Sequence, residues 1–159
     1  MTCDEWQTPV DLYLALDAEF GFELDPCCTS ENVRCPSGLY RDRGRDGLVL
    51  PWGRRRTYVN PPYSRGNIEK WCEKCVGEAR AGSTVVALLP CDCSTGWWQK
   101  YVMQAYEIRF LPRRVRFLDP ATGKPAGAPT FGSVVVIWGP GCGGAPPRVR
   151  AWDWKEAGA

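Results

Sequence analysis

The sequence predicts a three-layer α/β fold, with a mostly parallel sheet between helices on both faces. Three observations carry this. Stretches with apolar residues at helical spacing alternate with short β-branched or aromatic runs along the 159 residues. Residues 83–89 read Ser-Thr-Val-Val-Ala-Leu-Leu, almost continuously apolar, as a strand buried on both faces is. Residues 114–118 and the very apolar run 131–138 flank a Gly/Pro loop and read as a C-terminal β-hairpin, which makes the sheet mixed.

The elements follow in order. Thr8 and Pro9 open the first helix, a capping type followed by proline at the first helical position. Val10, Leu12, Tyr13, Leu16, Ala18 and Phe20 give its apolar face, and Gly21 ends it. Residues 22–24 form a short strand with Asp25-Pro26 at its carboxyl end, where open α/β sheets bind ligands. Residues 27–40 lack periodicity and read as one helical turn followed by irregular chain. Residues 46–50 read as a turn entering an extended segment, and 57–60 as the next strand. Residues 68–80 form a helix with Ile68, Trp71, Cys72, Cys75, Val76 and Ala79 on one side, stopped by Gly82. Residues 95–105 are helical and 107–111 extended. A single domain over residues 1–140 is expected, with 141–159, Gly/Pro-rich and then Trp/Arg-rich, as a loosely fixed tail.

Composition excludes several classes of chemistry. The chain has no histidine, which removes His-based triads, His acid–base pairs and His metal ligands. The formal net charge is only +2, so no global field announces a polyanion. Arginine outnumbers lysine fifteen to five and is clustered at 41–45, 54–56, 113–116 and 148–150. Such clusters suit phosphate, with a solvated face as the equal alternative. The first ten residues carry no apolar leader, and no stretch approaches the roughly 18 apolar residues of a membrane span. A cytoplasmic protein with reduced thiols is expected. Cys72/Cys75 and Cys91/Cys93 are the zinc alternative among nine cysteines. The first pair is mid-helix and the second tightly spaced, so buried small hydrophobes are preferred and no metal is expected.

Asn60-Pro61-Pro62-Tyr63 carries the chemistry. A strand through Thr57-Tyr58-Val59 runs into two prolines that cannot donate to the ladder. The Asn60 side-chain oxygen and the Pro61 carbonyl can accept the two hydrogens of a planar amino group, with the Tyr63 ring beside it. This aims the nitrogen lone pair outward by oriented dipoles, without a general base. The plainer alternative is a proline-capped strand end whose Asn60 closes an Asx turn.

Asp4-Glu5-Trp6-Gln7-Thr8-Pro9, Leu24-Asp25-Pro26, Asp46-Gly47-Leu48 with Trp52, and Asn60 to Ser64, in that order, resemble the phage-type DNA N6-adenine methyltransferase family, phage Dam. The resemblance runs from about Asp4 to about Trp138. It implies a Rossmann-like methyltransferase fold, S-adenosyl-L-methionine as cofactor, DNA as partner and a phage or prophage enzyme in a bacterial host. It implies catalysis by Asn60, Pro61, Pro62 and Tyr63 on a flipped adenine, and cofactor contacts from Trp6, Thr8, Pro9, Asp25 and Asp46. The turn at 25–32 departs from the common methyltransferase pattern in having no glycine. Tyr63 and Phe117 are the candidates for the two faces of the base, with core packing the alternative for Phe117. Arg54, Arg55, Arg56 and Arg65, near the loop in sequence, are expected on DNA phosphates. A monomer is expected. The same loop acting on cytosine N4, RNA or a protein glutamine amide, a non-catalytic DNA-binding module and a zinc-binding interaction domain are the rival readings.

Overall fold

The computed structural model describes residues 5–127 and 129–157. Met1 to Asp4, and with them the first residue of the opening motif, lie outside the described residues, as do Ala128, Gly158 and Ala159. Seven strands, β1 (Leu24–Cys28), β2 (Ser37–Tyr40), β3 (Arg56–Val59), β4 (Thr84–Pro90), β5 (Glu107–Phe110), β6 (Ser133–Trp138) and β7 (Arg148–Ala151), form one sheet in the order β2-β1-β3-β4-β6-β5-β7. β1 pairs in parallel with β2 and β3, β3 with β4, and β5 with β7; β6 is antiparallel to both its neighbours. The expected mixed, mostly parallel sheet is what the chain forms.

The period-2 geometry of β4 and β6 divides the interior in two. Val85, Ala87 and Leu89 of β4 and Val134, Val136 and Trp138 of β6 face one core. That core is covered by α2 (Asn67–Arg80) and α3 (Gly96–Tyr101), which a 3-10 turn, Val102–Gln104, extends. Val86, Leu88, Val135 and Ile137 face the other core, under α1 (Val10–Phe20) and the four-residue α4 (Trp154–Ala157). Both helical layers are therefore present.

Four expectations are corrected. Asp25-Pro26 lies inside β1 rather than after it, and the ladder with β2 shifts register between Asp25 and Cys28, which accommodates a residue without an N–H. Residues 37–40, expected to be irregular, are β2, an edge strand too short and too glycine-interrupted to show a period. Residues 46–50 are a turn and not extended: Val49 and Leu50 N–H both donate to the Asp46 carbonyl. The partner of β6 is β5, not residues 114–118. The latter make only an isolated bridge at Leu118, to Gln7 and Pro125, while Val115 and Phe117 turn into the core.

The segment read as a loose tail is also ordered. β7 pairs with β5 over four positions. Trp152 and Trp154 are buried in the second core, and the Trp154 indole N–H donates to Asp11 of α1 at 3.1 Å. Arg109 in β5 ties the same corner together: it pairs with Glu19 and Glu107 and lies over the rings of Phe20 and Trp152.

Candidate active site

The carboxyl ends of β1, β3 and β4 meet at one edge of the sheet, and the chain before α1 lies across it as a strap. Gln7 and Leu118 exchange two backbone hydrogen bonds of 2.9 Å. Arg34 Nη2 donates to the Thr8 carbonyl at 2.9 Å, and the Thr8 hydroxyl bonds the hydroxyl of Tyr58, a β3 side chain. Asn60 Nδ2 donates to the Trp6 carbonyl at 2.8 Å. Beneath the strap is a cavity of about 270 Å³, reached by Trp6, Thr8, Asp25, Cys27 and Asn60.

Asn60 is held from both sides of its carboxamide. With Nδ2 on the Trp6 carbonyl, Oδ1 faces the Tyr63 hydroxyl at 3.0 Å. The same hydroxyl is 2.9 Å from the Leu88 carbonyl of β4, so one proton serves two acceptors. Pro61 and Pro62 are buried and Tyr63 is half-buried. The Tyr63 ring packs edge-on against Phe117 at 5.9 Å and Phe131 at 5.7 Å between centroids. Trp6 stacks on Phe117 at 5.4 Å. Phe117 is 0% exposed, so as placed it offers a base no free face. Its role here is to back the rings of Tyr63 and Trp6, the core-packing alternative weighed above.

Asp25 is buried, and burial raises its carboxyl from the ordinary 3.8 to about 7; the Cys27 N–H, which donates to Oδ1 at 3.0 Å, and the nearby Arg34 act in the other direction. Burial thus favours the neutral carboxyl, and a cation beside it would favour the ionised form. Glu31, Arg34 and Arg41 also border the cavity. Three acidic residues, Glu5, Asp25 and Glu31, with two guanidinium groups and an indole in one cavity fit a ligand that carries an ammonium, a carboxylate and a ring. Arg34 and Tyr58 were not anticipated, and Arg41 was anticipated only as part of an arginine cluster suited to phosphate. Tyr58 had a readable signal in its alternate position in β3; the two arginines sit in stretches without pattern.

Other expected residues are placed elsewhere. Asp46 is exposed and caps its own turn, with Oδ1 accepting from the Leu48 N–H at 2.9 Å, outside the cavity lining. Its neighbour explains the motif better. A Cβ on Gly47 would lie 2.0 Å from the Pro26 carbonyl oxygen, so only glycine permits this approach to β1. Trp52, fully buried, donates its indole N–H to the Gly47 carbonyl at 2.9 Å. Pro9 precedes α1 and borders a neighbouring trough, not the cavity. Arg65 is exposed directly after the loop. Arg54, Arg55 and Arg56 stand at the amino end of β3, so the structure does not bring them to the edge where Asn60 lies. Cys72 and Cys75 are buried against the first core, whereas Cys91 and Cys93 are exposed. Among the described residues no three His, Cys, Asp or Glu side chains are grouped to hold a metal. Nor is any helix among them long and apolar enough to cross a membrane.

The sequence is similar to a DNA N-6-adenine-methyltransferase of Escherichia phage T1, 27% identical over 151 residues, covering 84% of this chain and 62% of that protein. It is similar to a DNA N-6-adenine-methyltransferase of Haemophilus phage HP1, 27% identical over 141 residues, covering 86% of this chain and 79% of that protein. The chain thus spans about three fifths of the T1 protein's length. The profile of the family described as DNA N-6-adenine-methyltransferase (Dam) matches residues 1–147. Most of the chain, from strap to β6, lies within that match, and the chain belongs to the DNA N-6-adenine-methyltransferase (Dam) family.

Proposed function

We propose that this chain transfers a methyl group from S-adenosyl-L-methionine to the N6 amino group of adenine in DNA, as a monomer in the cytoplasm of a bacterial host. The observation that supports it most is Asn60, whose carboxamide is oriented by the Trp6 carbonyl and the Tyr63 hydroxyl at the border of the cavity. When bound, S-adenosyl-L-methionine supplies an electrophilic methyl group. Asp25 would hold its ammonium, Arg34 or Arg41 its carboxylate, and Trp6 and Thr8 would cover it.

The target adenine is inaccessible inside a duplex and must leave the stack. Asn60 Oδ1 then accepts one N6 hydrogen and the Pro61 carbonyl the other. Holding both draws the nitrogen lone pair out of conjugation and turns it toward the cavity. Pro61 and Pro62 fix the second acceptor by their restricted φ. Tyr63 stacks on the base and, through its hydroxyl, keeps Asn60 in place. Burial of this edge strengthens each of these dipoles. Arg65, exposed beside the loop, contacts phosphate.

The test is mass spectrometry of nucleosides from host DNA after expression. N6-methyladenine is expected with the native chain and not with Asn60→Ala. N4-methylcytosine in its place would reassign the base, and absence of both together with no calorimetric binding of S-adenosyl-L-methionine would sink the reading.

A further inference from the structure

A second depression lies beside the cavity, on the other side of Pro9. It is a trough of about 640 Å³ bordered by Asp11, Arg113, Arg114, Arg116, Trp154 and Lys155. Topology puts it at the same edge as Asn60. The segment carrying the three arginines leaves the carboxyl end of β5, and α4 follows the carboxyl end of β7. Arg116 directly precedes Phe117, whose ring supports Tyr63.

The charges in the trough are unequal. Arg113 is paired with Asp153 at 2.6 Å. Arg114 Nη1 donates to the Pro129 carbonyl at 2.8 Å, which fixes the guanidinium without neutralising it. Arg116 and Lys155 make no side-chain hydrogen bond or salt bridge among the described residues. The acidic groups near them are Asp11, whose two oxygens are already engaged by the Leu12 N–H and the Trp154 indole, and Asp153, which pairs with Arg113 and also attracts Lys155, with Glu156 near Arg113. Three cations are thus presented to solvent beside an engaged carboxylate and an indole, at the same edge of the sheet as the catalytic loop.

We propose that this trough is the seat of the DNA sugar–phosphate backbone, with Arg114, Arg116 and Lys155 on successive phosphates. The proposal rests on the reading of the chain as a DNA methyltransferase. It assigns positioning to a stretch remote in sequence from the catalytic loop. Guanidinium forks match phosphate oxygens, and contacts of this kind set register without reading bases.

The experiment compares two triple variants that remove the same charge. One is Arg114→Gln, Arg116→Gln and Lys155→Gln; the other is Arg54→Gln, Arg55→Gln and Arg56→Gln. Each binds a short mixed-sequence DNA duplex over a salt series, with melting midpoints measured alongside to establish folding. The trough variant is expected to flatten the slope of log K against log salt by about one unit per lost contact. The other is expected to overlay the native chain. Equal flattening in both would mean a global charge effect and overturn the proposal. So would a native slope in the trough variant, or a native chain that does not bind the duplex. If the single variant Arg116→Gln is used because the triple fails to fold, the same comparison is read at one unit. A native chain that binds the duplex but leaves no N6-methyladenine in it sinks the activity reading alone, and the slopes still decide the trough.

Discussion

The two edges of the sheet differ in how their arginines are held. At the amino edge two of three guanidiniums, those of Arg55 and Arg56, are tied into the fold. Arg55 donates to the Trp52 carbonyl at 2.9 Å and to the Ser37 hydroxyl at 3.2 Å, and Arg56 pairs with Glu23 at 3.2 Å. The Arg54 stem lies over Gly82, while its own backbone takes a positive φ of 58°. These three residues fasten the turn before β3 to β1, to β2 and to the end of α2. At the carboxyl edge Arg116 and Lys155 stand open to solvent beside a cavity. Nearness in sequence to a catalytic loop is therefore a poor guide to nearness in space. A four-residue strand at roughly 3.3 Å per residue separates Arg56 from Asn60 by about 13 Å and places them on opposite edges.

The largest effect that tests this contrast is at the carboxyl edge itself. Asn60→Ala should reduce the methylation rate by ~10²–10³, the usual loss for one oriented group at a reacting centre. Cofactor affinity should fall by no more than about tenfold, because only the tie to the Trp6 carbonyl is lost there. A near-native rate would remove Asn60 from the chemistry. Gly47→Ala tests the return path between the edges. Its Cβ meets the Pro26 carbonyl, a backbone group that cannot turn aside, and should cost about 1–3 kcal/mol in urea unfolding. Undiminished stability would mean that the close approach is relaxed in solution.

Tyr63→Phe keeps the ring but frees Asn60 Oδ1 from its tether. From sequence the substitution should be mild. The observed bond predicts a loss of about 1 kcal/mol, roughly fivefold in rate at unchanged DNA affinity. Equal rates for the two proteins would return Tyr63 to a stacking role only. The smallest effect is in pH dependence. With its carboxyl raised to about 7 by burial, Asp25 keeps its proton in the folded state after the unfolded chain has lost it. Its contribution to stability is therefore fullest below about pH 4 and declines as pH rises toward about 7. A bound ammonium favours the ionised form, so cofactor affinity should rise over the same range and level off above it. Asp25→Asn should flatten both curves; an unchanged pH profile in calorimetry would place the cofactor's ammonium elsewhere.

Sequence pattern reached the fold where a segment carries its own periodicity. The apolar runs of β4 and β6 and the face of α2 announce themselves, whereas the cap expected at Thr8 does not form: Pro9 is the N-cap residue, without a side-chain cap bond, and the Thr8 hydroxyl bonds Tyr58. It failed where pairing is set by partners distant in the chain. Val115 and Phe117 alternate like a strand, yet they alternate because they fill a core from a loop, and β5 takes the place beside β6. The end of the chain looks loose because glycine and proline dominate residues 139–147, but two tryptophans a few residues later anchor it. In the site, Asn60 to Tyr63 stood out because two prolines after a strand have few structural uses, and Asp25 because a carboxylate follows a short apolar run in the sequence, although the fold takes it into β1. Arg34 was not, and Arg41 and the trough arginines showed only as clusters suited to phosphate, because a charged side chain in an aperiodic stretch shows its purpose only when folding brings it beside others.

One bond pattern at Tyr63 has a kinetic meaning. Its hydroxyl has a single proton and two acceptors, Asn60 Oδ1 at 3.0 Å and the Leu88 carbonyl at 2.9 Å. On the proposed function, an incoming amine would take the second lone pair of Oδ1, and the tyrosine proton, while still tethering Asn60, would lean toward Leu88 by a small rotation about the C–O bond. The number of satisfied acceptors would not drop, so admission of the amine would leave no acceptor at this edge unpaired on the way in.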